Sequence, residues 1–158
     1  MTAKKNMTSK KKIFWFEDDK HLLEAHFKKL QKKYEVIIGA HWELIKKTRQ
    51  QAFDLVLLDI MIHKFSFDVK NQKEVENIEF QDVHWSNIGV EFLKRIRKGE
   101  YETYGFNKNV PVVAATARVD YSTREAVENI GVSDFLVKPF TIDKLKISIE
   151  KVLNTSKK

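Results

Sequence analysis

Residues 54–60 read DLVLLDI: an unbroken apolar run, Leu55 to Leu58, with an aspartate at each end. A strand exposed on one face alternates apolar with polar residues, whereas a strand covered on both faces is apolar throughout. This run is of the second kind, and so are its counterparts. IFWF (13–16), YEVII (34–38), VPVVAA (110–115) and SDFLV (133–137) are short, largely apolar and widely spaced.

Between them lie stretches with helical spacing of apolar residues. Leu23, Phe27 and Leu30 mark the first and Trp42 and Ile45 the second, over 41–51. Val90, Leu93 and Ile96 mark the third, which should stop near Gly99. The fourth spans 121–130 with Gly131 as its cap, and Ile142, Leu145, Ile149 and Val152 mark the fifth. Strands alternating with helices imply right-handed crossovers and an all-parallel sheet, so the expected fold is α/β, a doubly wound five-stranded parallel sheet flanked by helices.

One segment departs from this rhythm. Residues 62–87, IHKFSFDVKNQKEVENIEFQDVHWSN, separate the third strand from its helix, where a connection of about 2–6 residues is usual. The insertion is mostly polar but holds Phe65, Phe67, Phe80 and Trp85, which argues against a fully solvated linker.

Composition excludes several classes. No apolar run approaches the roughly 20 residues of a membrane helix, and the basic start is not followed by a signal-peptide core. The chain has no cysteine, which removes disulfides and thiolate metal sites and favours a reducing, cytoplasmic setting. The net charge of +7 comes from the ends: Lys4, Lys5, Lys10, Lys11, Lys12, Lys157 and Lys158 are seven of the 29 basic residues, and the remaining 22 balance 22 acidic ones. Solvated tails at 1–11 and 155–158 around a body at 12–154 are the expectation, with no specific nucleic-acid site in the body and no membrane association.

In parallel sheets of this kind, ligands bind at the carboxyl ends of the strands. Those ends carry Glu17-Asp18-Asp19, Asp59, Thr116-Ala117 and Lys138-Pro139. Clustered carboxylates raise one another's pKa unless a cation compensates, and a hard divalent ion suits an all-oxygen donor set. Carboxylates, a hydroxyl and a lysine together supply the nucleophile, the charge neutralisation and the metal site that phosphoryl transfer to an aspartate needs. His63 and His84 flank the insertion without metal-ligand spacing. Trp15, within the first strand, reads as core.

From about Lys12 to Asn154 the chain resembles the receiver domains of two-component response regulators, a flavodoxin-like topology. The matching segments are IFWFEDDKHLL, DLVLLDIMI, VPVVAATA and DFLVKPF. The resemblance implies that Glu17, Asp18, Asp59 and the backbone carbonyl of Met61 hold Mg²⁺ or Mn²⁺. It implies that Asp59 accepts a phosphoryl group from a sensor histidine kinase or histidine phosphotransfer protein. Thr116 and Lys138 would engage that group, and Phe135 occupies the aromatic switch position. Met61 and Arg118 are candidates for tuning the lifetime of the phosphorylated form. Such a protein is a switch in bacterial signalling rather than a turnover enzyme, catalysing its own phosphorylation and slow dephosphorylation. It would signal to a downstream protein through the 121–154 face, through which receivers also dimerise.

Two features depart from the family pattern. The usual proline soon after the acceptor is replaced by His63 and Lys64, and the pattern resumes only at Gly89. The insertion thus lies beside the acceptor, where it shields Asp59, slows hydrolysis, offers a partner surface, or is decorative; the sequence leaves these open. A non-phosphorylated scaffold on the same fold is the alternative function. An aspartate-nucleophile phosphatase is disfavoured because Met61 stands where its second acid would be.

Overall fold

The computed structural model describes residues 9–18, 23–40, 42–48, 51–62, 65–68, 73–76 and 78–156. The strands are β1 (Lys12–Phe16), β2 (Glu35–Ile38), β3 (Leu55–Leu58), β4 (Phe65–Asp68), β5 (Lys73–Glu76), β6 (Val112–Thr116) and β7 (Asp134–Val137). The helices are α1 (Glu24–Gln31), α2 (Trp42–Lys47), α3 (Ile88–Arg97), α4 (Tyr121–Ile130) and α5 (Ile142–Thr155). Five strands form one parallel sheet in the order β2-β1-β3-β6-β7, the doubly wound arrangement expected.

Strand pleating divides the core in two. Phe14, Phe16, Val56, Leu58 and Val112 face α2, α3 and α4, meeting Ile45, Phe92, Leu93, Ile96 and Val127. Ile13, Trp15, Leu55, Leu57 and Val113 face α1 and α5, meeting Leu30, Leu145, Ile149 and Val152. Every residue of β3 and β6, and of β1 from Ile13 on, is buried on one side or the other, which is why these central segments are almost continuously apolar. Trp15 is fully buried in the second layer, as read.

Helix boundaries follow local chemistry. Asp120 caps α4 by accepting from the Thr123 N–H, and Thr141 caps α5 by accepting from the Lys144 N–H; such side chains satisfy donors that a helix start leaves open. Gly131, at φ +120°, ends α4 where the sequence placed the cap. Helix α2 is shorter than the expected 41–51, and Thr48 closes it by donating its hydroxyl to Ile45 O. Asp19, the last of the three acids after the first strand, lies outside the described residues.

The insertion folds. β4 and β5 pair as an antiparallel hairpin, Phe65 opposite Glu76 and Asp68 opposite Lys73, two strands the sequence reading did not foresee. A 3₁₀ turn at Ile78–Phe80 then drives Phe80 into the core, fully buried, with its ring 6.2 Å from those of Phe16 and Phe92. Arg95 of α3 lies over the Phe80 ring, pairs with Glu79 and donates through Nε to Glu91. The Tyr101 hydroxyl donates to Glu79. The two ends of the insertion are tied by an Ile62 N–H bond to Trp85 O, 3.1 Å.

Candidate functional site

The sheet register assembles the site. Phe16 pairs with Leu58, Leu58 with Ala114, and Thr116 with Val137. The residues at or just beyond these positions, Glu17, Asp59, Thr116 and Lys138, therefore emerge at one edge. Backbone bonds from Asp59 N–H to Phe16 O and from Lys138 N–H to Thr116 O, each 2.9 Å, carry the alignment to the last residue.

The side chains converge. Carboxylate oxygens of Glu17, Asp18 and Asp59 lie within 4.8 Å of one another. Glu17 is fully buried, Asp59 is 5% exposed and Asp18 is half-buried. Lys138 reaches across, its Nζ donating to Asp59 Oδ2 at 2.9 Å and to Glu17 Oε2. Burial alone would lower the Lys138 pKa, but the Asp59 and Glu17 carboxylates outweigh it and raise it above the ordinary lysine value. Three carboxylates and one ammonium leave a net charge of −2 on these four groups. Buried charge of that size calls for a further cation. The all-oxygen donor set suits Mg²⁺ or Mn²⁺.

The other expected residues are placed as follows. The Met61 N–H donates to Asp59 Oδ1 at 3.3 Å, so the residue two beyond the aspartate holds one oxygen while Lys138 holds the other. Thr116 is buried at the end of β6, and its hydroxyl oxygen accepts from the Arg118 N–H at 3.2 Å. Phe135 packs against the first core layer beneath the Arg124 guanidinium, 4.9 Å from ring centroid to Cζ. Arg118 departs from the picture of a side chain flanking Asp59. Its guanidinium bonds to Ser86 O (2.6 Å), Asn87 Oδ1 (2.8 Å) and Asp120 Oδ1 (2.8 Å).

Sequence reasoning missed what Gly89 does. It marks the return to pattern because α3 starts against the site: its N–H donates to Ile60 O, and a Cβ there would overlap Asp59 O. A glycine directly after a long insertion was the available signal. His84 caps the turn at Trp85–Asn87, accepting from the Ser86 N–H; His63 lies outside the described residues. Among the described residues the carboxylate trio is the one group able to hold a metal, and no helix is long and apolar enough to cross a membrane.

No protein-family model matches the chain. Curated proteins do. It is 29% identical over 147 residues to the transcriptional regulatory protein CrdR of Helicobacter pylori, covering 91% of this chain and 55% of that protein. It is 33% identical over 103 residues to the probable C4-dicarboxylate response regulator DctR of Halalkalibacterium halodurans, covering 65% and 32%. The chain thus spans about half the length, or less, of the curated relatives it matches. A CheY-like response regulator receiver domain protein from Methanospirillum hungatei superposes with a TM-score of 0.64 at 20% identity, over 94% of this chain and 98% of that one.

Proposed function

We propose that this chain, which has the fold of response regulator receiver domains and whose curated matches are response regulators, is a phospho-accepting switch with Asp59 as acceptor. The body at 12–154 is its receiver unit, with 62–87 as a folded insertion and 1–11 and 155–158 as tails. The observation that carries the reading is the bridging of Asp59 and Glu17 by Lys138 inside a site of net negative charge.

The chemistry follows from the groups present. An Asp59 carboxylate oxygen attacks the phosphorus of a phosphohistidine. An O–P bond forms, the P–N bond breaks, and the donor imidazole leaves and takes up a proton. Asp59 Oδ1 is steadied by the Met61 N–H and Oδ2 by Lys138, so the nucleophile is oriented before the donor arrives. Lys138 then follows the new charge onto a phosphoryl oxygen. Thr116, buried at the same edge, supplies a hydroxyl donor to another. Glu17, Asp18, Asp59 and the Met61 carbonyl are the residues to hold Mg²⁺ or Mn²⁺, which would neutralise charge on the transferring group.

Loss of the Lys138 contact to the free carboxylate, with Thr116 drawn in and Phe135 turning on its strand, shifts the 121–154 face between two states. That face would meet a downstream protein or a second copy of the chain. The phosphodonor is a sensor histidine kinase or histidine phosphotransfer protein of the cytoplasm. The domain catalyses its own modification and slow release rather than turnover of an external substrate.

Intact-mass measurement with acetyl phosphate tests this reading. One phosphoryl group should be gained in the presence of Mg²⁺, far less without it, and none by Asp59→Asn. A folded wild type that gains nothing and also fails to bind BeF₃⁻ would instead favour a non-phosphorylated scaffold.

A further inference from the structure

Arg118, through its backbone N–H and its guanidinium together, joins three elements that meet beside the site. Through its own N–H the residue bonds the hydroxyl of Thr116 at the end of β6 (3.2 Å). Through Nε it holds Asp120 (2.8 Å), whose other oxygen caps α4 by accepting from the Thr123 N–H (3.0 Å) and hydroxyl (2.6 Å). Through Nη1 it holds Ser86 O and Asn87 Oδ1, the last residues of the insertion before α3. The planar fork of arginine, which a lysine cannot reproduce, suits such simultaneous contacts.

The segment it holds is short and leads directly into α3, whose Gly89 N–H bonds Ile60 O beside Asp59. His84–Asn87 is a single 3₁₀ turn, with Trp85 46% exposed. Its backbone ties are local, Asn87 N–H to His84 O, apart from the Trp85 O bond to Ile62. Between this turn, α3 and α4 lies an open groove lined in part by Asp82, His84, Asn87, Glu91, Lys94 and Thr123. Arg118 bonds Asn87 of that lining and, through Asp120, the cap of α4.

We propose that Arg118 is a positioning residue that latches the exit of the insertion to the switch threonine, so that the His84–Gly89 segment reports the state of Asp59. Any displacement of Thr116 towards a modified Asp59 pulls on the Arg118 backbone and changes the geometry of its bonds to Ser86 and Asn87. The His84–Gly89 segment then carries the state of Asp59 to the α3–α4 side, where it adjoins the 121–154 face at the start of α4. This inference rests on the phospho-acceptor reading for its trigger, but the latch stands without it.

Hydrogen–deuterium exchange on the full chain separates the two. In the unmodified protein, Arg118→Gln should raise exchange in a peptide covering 84–89 several-fold while leaving peptides of β1 and β3 unchanged. With Mg²⁺ and BeF₃⁻, wild type should shift in the same peptide and Arg118→Gln should show little further change, although it still gains a phosphoryl group from acetyl phosphate. Unaltered exchange at 84–89 in the unmodified variant would overturn the latch whatever Asp59 does. A wild type that is demonstrably phosphorylated yet shows no shift at 84–89 would overturn the coupling. A wild type that is not phosphorylated, with the variant still loosened, would keep the latch and defeat the phospho-acceptor reading instead.

Discussion

The α-carbon of Gly89 lies so close to Asp59 that a methyl group on it would overlap the Asp59 carbonyl oxygen and press on Ile60 Cα. The start of α3 is thereby fixed against the backbone that carries Asp59, although 29 residues separate them in sequence. Both atoms in the way are backbone, so neither can swing aside.

Gly89→Ala should therefore lower stability by about 1–3 kcal/mol, the range for overpacking a filled site. Urea unfolding checks it: the midpoint should fall at unchanged slope. An unchanged midpoint would show that α3 can withdraw from β3 freely.

Phe80→Ala addresses the insertion. The ring is fully buried between Phe16 and Phe92, so its removal should cost about 3–5 kcal/mol. A loss below 1 kcal/mol would mean that the insertion rests on the domain without being part of its core.

How far the sequence could be read follows from where its signals are local. Continuous apolar runs such as Leu55–Leu58 revealed a doubly covered sheet because burial on both faces leaves no polar alternation, and right-handed crossovers made it parallel; the topology came only with the family resemblance. Strand ends were legible for the same reason, which is why Glu17, Asp59, Thr116 and Lys138 were gathered before any coordinates. The insertion was legible only as an interruption. Its hairpin has polar residues on both strands and no turn dipeptide to announce it, and Phe80 looks like any other loop aromatic until the Phe16–Phe92 stack that receives it is known. The direction of the Arg118 side chain was not legible at all, since its partners Ser86 and Asn87 are remote in sequence and one of the contacts is to a backbone carbonyl.

Acid should loosen β7 from α5. Burial opposes ionisation of Asp134, but the Ser148 hydroxyl, the Phe135 N–H and Lys151 outweigh it and hold its pKa below the ordinary carboxylate value. A depressed folded pKa contributes stability that is present above the unfolded value, near about 3.9 for aspartate, and is lost as pH falls through the folded value. The urea midpoint of wild type should thus drop more between pH 6 and pH 3 than that of Asp134→Asn. Parallel curves would remove Asp134 from the acid response.

Mg²⁺ should stabilise the folded chain through the same cluster. Ligand linkage gives about 2.7 kcal/mol at 100 times the dissociation constant. The rise in melting temperature with added Mg²⁺ should vanish in Asp18→Asn, which alters the trio while leaving the Lys138 bridge to Glu17 and Asp59 in place. An equal rise in both proteins would place the ion elsewhere.

If the phosphoryl group resides on Asp59, chemical labelling will locate it there. Protein treated with acetyl phosphate and Mg²⁺ should be reduced with borohydride, which converts an aspartyl phosphate to homoserine, then digested and sequenced by mass spectrometry. Homoserine should appear at position 59 and at no other aspartate. Homoserine at Asp18 or elsewhere, with Asp59 intact, would contradict it.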